Sequence, residues 1–297
     1  MKTLDCQTRI ALKNILFMTD FSPAADAALP FAIQIARRYG ATLHGLHVRP
    51  FDVFPGAPTA SWTVLAEEQE TAVRENVRRL EERLMGVCHR VVVSQGDIWP
   101  VLEEVTHGSD IDLLVIGTRG RTGIEKMLLG STAEEIIRRA SCPVLTVGPH
   151  ISADPELALK LDEILYPTAL TPESQAARFY AVSLAEENEA RLTLLHVWAD
   201  AKAAGVIDPA EYTEPALRAM RSLVPEEAGL WCRPEFVIEK GNAAEKILEV
   251  ADRRHADLIV LGVRGEEGFP GAATHLGGAV AHQIVARAKC PVVTVRG

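Results

Sequence analysis

Hydrophobic and polar positions follow a repeating rhythm along the chain. Short apolar runs such as ILFM, LLVIG and PVLTV alternate with helix-length stretches in which apolar residues recur with the helical period. Strands that are apolar on both faces and separated by helices are typical of a parallel sheet covered on both sides. In the first half, the pattern predicts strands near 14–20, 41–48, 89–94, 112–117 and 143–147, and helices near 23–39, 62–85, 98–107 and 132–140.

The sequence contains the same pattern of strands and helices twice. NILFMTDFSP matches EILYPTALTP, and ATLHGLHV matches ARLTLLHV, both at a shift of 149 residues. IDLLVIGTRG matches ADLIVLGVRG at a shift of 145, and ASCPVLTV matches AKCPVVTV at 148. The length of 297 residues suits two domains that each bury a core. We therefore predict two tandem α/β domains, residues 1–150 and 151–297, with the second helix of the second domain near 209–223.

Local chemistry marks the start of the first helix in each half. Ser22-Pro23 and Thr171-Pro172 each supply a hydroxyl that can cap a helix, followed by proline at the first helical position. Gly40 follows the first helix and predicts its end, because glycine readily adopts the left-handed conformation of a C-cap.

Composition and charge exclude several classes of protein. The net charge of -9 and the pI of about 5.5 argue against broad capture of nucleic acid or anionic lipid, since phosphates are bound mainly by clustered Lys and Arg. No apolar run reaches the roughly 20 residues that cross a bilayer, and the amino terminus is too polar for a signal peptide. Five cysteines without a C-x-x-C pair suit neither a disulfide framework nor a zinc site. We expect a cytoplasmic protein with reduced thiols.

A glycine-rich loop follows the fourth predicted strand of the first half. Its glycines are spaced Gly117-x2-Gly120-x9-Gly130, and Ser131 and Thr132 come next at the start of a helix. Glycine lets the backbone lie close to a ligand, and the first amides of the following helix attract an anion. The loop is therefore predicted to hold phosphates.

Three further side chains are predicted to join this site. Arg119 and Arg121 can donate charge-assisted hydrogen bonds to phosphate oxygens. The first strand ends with Thr19-Asp20 at the same edge of the sheet, where ligands of open α/β sheets bind. An aspartate in that place can accept hydrogen bonds from both ribose hydroxyls.

The G-x2-G-x9-G-[ST] spacing, the first strand ending in Thr-Asp and the tandem copies resemble the universal stress protein family. The resemblance implies a Rossmann-like, five-stranded parallel sheet of adenine-nucleotide-binding type in each half, a stress-linked role, and pairing of domains through their last strands. It implies ATP, with or without Mg²⁺, as the cofactor. In that reading Asp20 holds ribose, the backbone around Val48 meets adenine, and the phosphates are held by Gly117, Gly120, Gly130, Ser131 and Thr132.

Structural explanations of the same residues stay open. Ser131 followed by Glu134 has the pattern of a capping box, so the serine could serve the helix alone. The glycines could be turn residues only. The nucleotide hypothesis depends on the coincidence of all these features.

The second copy of the loop is altered. It keeps four residues of the motif, Gly262, Arg264, Gly265 and Gly278, with a longer spacing. It has Ala169, Ala279, Val280 and Glu266 where the first has Asp20, Ser131, Thr132 and Arg121. Lost charged hydrogen bonds each remove about 1.5–3 kcal/mol, so we predict weak or no ATP binding there. The alternative is that His275 or backbone amides of the longer loop replace the lost donors.

Several other residues have two interpretations. His47 and His196 lie at matching strand ends, which favours a structural role over ligand contact. Cys142 and Cys290 are predicted to be packed thiols rather than redox groups. The loops near 48–62 and 199–210 could act as lids or partner sites, or could simply pack on the domain edge.

The leading hypothesis for function is an ATP-binding regulatory protein of the stress response. The first domain would hold the nucleotide, which would gate domain pairing, either within the chain or in a homodimer, or the binding of a protein partner. A slow ATPase or adenylating enzyme is the rival, although the chain has no G-x4-G-K-[ST] loop and no evident general base, Glu125 being the nearest carboxylate in the loop. A nucleotide-free interaction scaffold is the third hypothesis.

Overall fold

The computed structural model describes residues 10–50, 59–118, 129–148, 151, 160–198, 209–226, 232, 234–263 and 280–297. Side chains are described over the same ranges apart from 59–66 and 209–211. Within these ranges, no helix is both long enough and apolar enough to cross a membrane.

The first half alternates strands and helices as the hydrophobic pattern predicts. The bounds differ from the predicted ones by at most three residues, at the start of the second helix. The elements are β1 Asn14–Met18, α1 Pro23–Tyr39, β2 Thr42–Arg49, α2 Thr59–Arg83, β3 His89–Gln95, α3 Ile98–Gly108, β4 Leu113–Gly117, α4 Ser131–Arg139 and β5 Val144–Val147.

The second half repeats this order with one addition. The counterpart of α1 is divided into two helices, α5 and α6. The elements are β6 Glu163–Pro167, α5 Pro172–Gln175, α6 Arg178–Asn188, β7 Arg191–Trp198, α7 Pro209–Arg221, β8 Glu235–Lys240, α8 Ala243–Arg254, β9 Leu258–Val263, α9 Val280–Arg287 and β10 Val292–Arg296.

The predicted helix signals are confirmed. The Ser22 hydroxyl accepts a hydrogen bond from the Ala25 amide at 3.3 Å, and the Thr171 hydroxyl accepts one from the Ser174 amide at 3.4 Å. Gly40 ends α1 in the left-handed conformation at φ 62°, which costs glycine nothing because it has no Cβ.

The ten strands within the described ranges form one sheet in the order β3-β2-β1-β4-β5-β10-β9-β6-β7-β8. Neighbouring strands are parallel within each half, whereas β5 and β10 are antiparallel. The expected pairing of the halves through their last strands therefore occurs within a single chain. The edge that an isolated half would expose at β5 or β10 is already paired.

The core lies on both faces of the sheet. Along β1, Ile15 and Phe17 belong to one buried cluster and Leu16 to the other, as the alternation of strand side chains requires. Each cluster includes residues from both halves. Burial on both faces explains why the strands read as continuous apolar runs.

Candidate functional site

A cleft of about 660 Å³ opens at the carboxyl ends of β1, β2 and β4, between α2 and the start of α4. Its volume lies in the range of small-molecule sites, and its position is the one that open parallel sheets use for ligands. We call it the first-half cleft. Seven of the predicted site residues line it: Thr19, Asp20, Val48, Gly117, Gly130, Ser131 and Thr132.

Other predicted residues lie outside the described part of the chain. In the first half these are Arg119, Gly120, Arg121 and Glu125, and in the second half Arg264, Gly265, Glu266, His275, Gly278 and Ala279. Most of the two candidate lid loops lies outside it as well, at 51–58 and 199–208.

The turn after β1 places Asp20 at the cleft. The Thr19 hydroxyl accepts a hydrogen bond from the Phe21 amide at 2.9 Å, and an Asp20 carboxylate oxygen accepts one from the Ser22 amide at 3.0 Å. The second half makes the same turn with an exposed Ala169 in the place of Asp20: Leu170 repeats the positive φ of Phe21, at 61° against 58°. The turn therefore does not require the carboxylate of Asp20.

The end of β2 presents backbone polar groups to the cleft. The Leu46 carbonyl accepts from the Thr19 amide at the end of β1, and the Arg49 carbonyl accepts from the Gly96 amide on the β3 side. Because backbone groups in a strand alternate between its two neighbours, those of Val48 point to the β1 side. β1 has already ended at Met18 on that side, and Val48 lines the cleft there.

Gly117 is needed for packing as well as for the cleft. A Cβ at this position would lie 2.4 Å from the Ala24 carbonyl oxygen, so only glycine allows β4 to approach the first turn of α1. Its counterpart Gly262 is in the same situation, with a Cβ 2.5 Å from the Glu173 carbonyl oxygen. The structural explanation of this glycine therefore holds in both halves.

The proposed capping box at α4 does not form. Ser131 is the first residue of the helix, its N-cap is Gly130, and no side chain caps this end. The capping explanation of Ser131 is therefore wrong, because a side chain at the first helical position cannot replace the N-cap residue. Both Ser131 and Thr132 are exposed toward the cleft. The first amides of α4, which have no partner within the helix, face the same space.

His47 and His196 have the predicted structural role. The Nδ1 of His47 lies 2.8 Å from the Thr19 carbonyl oxygen, and the Nδ1 of His196 lies 2.8 Å from that of Thr168. Each histidine therefore ties the end of its second strand to the end of the first. His47 also lines the first-half cleft.

Sequence reasoning missed polar residues on two walls of the cleft. Gln69 and Asn76 line it from α2, on the same helix face as Val73, and Arg49 lines it from the end of β2. The Nε of Arg49 is buried and has no hydrogen-bond partner among the described residues. The helical spacing of the two amides with Val73 is the signal that could have identified this wall.

The corresponding wall of the second half is covered by an aromatic side chain. Trp198 stands where the first half has Arg49, and the ring of Tyr212 stacks on it with centroids 4.8 Å apart. The Tyr212 hydroxyl lies 2.6 Å from Nε2 of His196, and burial raises the pKa of this hydroxyl. The Lys240 ammonium lies 5.5 Å from the Trp198 ring centroid. Tyr212 therefore lies over the counterpart of the wall formed by His47 and Arg49.

Cys142 and Cys290 have the predicted character of packed thiols, whereas Cys88 is exposed. Burial raises the pKa of Cys142 to about 11 and that of Cys290 to about 12, so both stay protonated at neutral pH. Over the described ranges, no group of three or more His, Cys, Asp or Glu side chains is placed to hold a metal ion.

Comparisons with known proteins agree with this architecture. A sequence model of the universal stress protein family matches residues 11–148 and 160–296. A universal stress protein of Methanocaldococcus jannaschii is 34% identical over 139 residues, which covers 46% of this chain and 81% of that protein. One of Mycolicibacterium smegmatis is 29% identical over 300 residues, covering 95% of this chain and 97% of the relative.

Among solved structures, a universal stress protein from Archaeoglobus fulgidus has a similar fold. It matches with a TM-score of 0.69 at 20% identity and covers 95% of this chain and 98% of its own. Because the family model matches both halves and most of the sequence, the chain belongs to the universal stress protein family.

Proposed function

We propose that the chain is an ATP-binding regulatory protein of the stress response, and that the first-half cleft holds the nucleotide. The observation that carries this proposal is the convergence of seven predicted site residues on one cleft of about 660 Å³. They come from the ends of β1, β2 and β4 and from the start of α4. The size of the cleft suits a nucleotide.

Each part of ATP has a matching group in the cleft. Asp20 is assigned to the ribose hydroxyls, since its carboxylate is not needed for the turn that carries it. The backbone of Val48 offers a donor and an acceptor to the edge of adenine. The phosphates would meet Ser131, Thr132 and the first amides of α4, where the helix dipole favours negative charge.

Arg49 adds a cation that the motif did not predict. Among the described residues its buried Nε has no acceptor, and a buried donor of this kind is costly unless a ligand or water satisfies it. Arg49 also contributes to lowering the pKa of Glu70, although Arg74 is the larger cause. We assign Arg49 to an acceptor on the bound nucleotide, without choosing between base and phosphate.

The second half is proposed to bind ATP weakly or not at all. Ala169 cannot accept a hydrogen bond from ribose, and Val280 has no hydroxyl for a phosphate. The ring of Tyr212 lies over the wall that corresponds to Arg49. We propose that this half serves architecture and regulation, so that nucleotide in the first half biases domain pairing or the choice of a partner in the cytoplasm. Such an effect requires the nucleotide to bind the competing states unequally.

Mass spectrometry of small molecules released by denaturing the purified chain tests the binding proposal. We expect adenine nucleotide in the wild type and at least tenfold less in Asp20→Ala. Absence of nucleotide, together with no binding of added ATP, would leave an interaction scaffold. Phosphate release distinguishes a binder from an enzyme: many rapid turnovers in the wild type, abolished in Asp20→Ala, would contradict a regulatory role without catalysis.

A further inference from the structure

The two halves meet at an approximate two-fold axis that the internal repeat makes visible. In the antiparallel pair of β5 and β10, Leu145 lies opposite Val293, and these two residues are counterparts at the repeat shift of 148. Thr146 and Thr294 donate to the carbonyls of Val292 and Val144, at 3.0 Å and 3.4 Å. Equivalent residues of the two halves therefore face each other across this axis.

On one face of the sheet, the end of α1 contacts the end of α6 across the axis. One guanidinium nitrogen of Arg38 donates to the Asn188 side-chain oxygen at 2.6 Å, and the other donates to the Glu187 carbonyl at 2.8 Å. The Tyr39 hydroxyl donates to a carboxylate oxygen of Glu187. At the repeat shift of 149, Arg38 corresponds to Glu187 and Tyr39 to Asn188. The side chain of Arg38 thus contacts that of Asn188, and the side chain of Tyr39 contacts that of Glu187, so the two dipeptides are paired crosswise.

We infer that this contact specifies which half can pair: the Arg38-Tyr39 end of α1 fits the Glu187-Asn188 end of α6 and does not fit a second copy of itself. Two first halves would place two guanidinium groups near the axis with no carboxylate to accept from Tyr39. Two second halves would place two carboxylates there. Only the unlike pair has one charge of each sign, and like charges in such contacts oppose wrong pairings.

The rest of the contact is built around the Glu187 carboxylate. Its second oxygen accepts from the Ser183 hydroxyl at 3.2 Å, and that hydroxyl accepts from the Ile10 amide of the first half at 2.7 Å. Burial, with a smaller effect of Glu187, raises the pKa of Tyr39, so this hydroxyl keeps its proton and remains a donor. In the unlike pair, one oxygen of the Glu187 carboxylate accepts from Tyr39 of the first half and the other accepts from Ser183 of its own half. A pair of two first halves would contain no such carboxylate.

The partner that this surface fits is thus the second half of this same sequence, within one chain or exchanged between two copies. A further copy, or another protein, would have to use a different surface. The outer edges of the sheet, β3 and β8, lie at the far ends of the strand order and take no part in this contact.

Exchanging the dipeptides between the halves tests the inference in the full chain. R38E/Y39N puts Glu-Asn in both halves, E187R/N188Y puts Arg-Tyr in both, and the fourfold variant exchanges them. Thermal unfolding is measured for the wild type and these three variants. The control is R37E, which removes a neighbouring cation from the same last turn of α1 and so matches the loss of helix-dipole interaction. Arg37 makes no hydrogen bond to the second half in the described structure.

The two variants with like dipeptides should melt about 3–8 °C below the wild type, as expected for losing one or two charged hydrogen bonds in a chain of this size. The fourfold variant should recover at least half of that loss, since it restores one charge of each sign but not the Ser183 contact. R37E should melt within about 1 °C of the wild type. If the like variants melt with the wild type, or the fourfold variant melts no higher than they do, the inference is wrong. Should a like variant fail to fold, the melting point of the fourfold variant still decides.

Discussion

The two halves share a backbone frame and differ in the side chains that this frame presents. In both, a histidine at the end of the second strand bonds the carbonyl at the end of the first, at 2.8 Å. In both, a glycine in the last two residues of the fourth strand of the half lets the first helix approach closely. Two of the differences lie at the first-half cleft: Asp20 has the counterpart Ala169, and Arg49 has the counterpart Trp198.

Comparing the two halves separates residues that hold the backbone frame from residues that are candidates for binding a ligand. What both halves keep, such as Gly117 and His47, serves the frame whether or not a ligand binds. Asp20 occurs only in the first half and is not required for its turn, because the second half makes the same turn without a carboxylate. The duplicated chain therefore contains its own control for assigning ligand residues.

The largest expected effect comes from changing the glycines of the frame. Gly117→Ala and Gly262→Ala should each destabilise the chain by about 3 kcal/mol, because a Cβ would overlap backbone atoms that cannot move aside. Urea unfolding measures the loss, and Gly108→Ala is the control, since a Cβ there has no atom within 4 Å. A loss at Gly117 alone would mean that the halves do not share this frame.

The second prediction asks whether Asp20 contributes to ATP binding or to the stability of the fold. Asp20→Ala should weaken ATP binding about 10- to 100-fold, the cost of losing charged hydrogen bonds, while the unfolding midpoint stays within about 2 °C of the wild type. Titration calorimetry and thermal unfolding measure the two quantities. Asp26→Ala, which removes a carboxylate of an exposed ion pair with Arg83, should leave ATP affinity unchanged. Large destabilisation by Asp20→Ala would assign this residue to the frame.

The third prediction concerns Tyr212, whose ring covers the second-half counterpart of the cleft wall. Tyr212→Ala should lower stability by about 1–2 kcal/mol through loss of the stack on Trp198 and of the bond to His196. It should not create a second ATP site, because Ala169 and Val280 remain. Urea unfolding and titration with ATP check both statements. A second equivalent of bound ATP would show that the tyrosine ring alone prevents ATP binding in the second half.

The smallest effect concerns pH. Burial lowers the pKa of His44, with a smaller contribution from Arg90, so the unfolded state binds its proton more readily than the folded state. Its contribution to stability is therefore present above the ordinary histidine range near pH 6.5 and decreases as the pH falls. His44→Thr introduces the second half's residue, Thr193, and should flatten this decrease between about pH 7 and pH 5. Urea unfolding at several pH values measures the slope, and an unchanged slope would contradict the prediction.

Sequence alone predicted the elements well because their signals are local. Apolar runs mark the buried strands, and Ser22 and Gly40 mark the two ends of α1. The split of its counterpart into α5 and α6 was not predicted, since no glycine or proline lies at Ala176-Ala177. The pairing of β5 with β10 followed from the family resemblance rather than from periodicity.

The candidate site was predictable only where a motif carries it. Asp20, Gly130 and Ser131 belong to spaced patterns that can be read along the chain. The helical spacing of Gln69, Val73 and Asn76 could have placed these residues on one face of α2. That this face covers the cleft depends on tertiary packing, as does the burial of the Arg49 Nε at the end of β2. The requirement for glycine at 117 likewise depends on the approach of α1, a distance that no local pattern contains.

The number of ATP molecules bound per chain tests the asymmetry of the halves most directly. Titration calorimetry of the full-length wild type with ATP should give one site per chain, and the same titration of Asp20→Ala should show that this site is lost or weakened at least tenfold. Two sites of similar affinity in the wild type, or one site that Asp20→Ala leaves unchanged, would contradict the account.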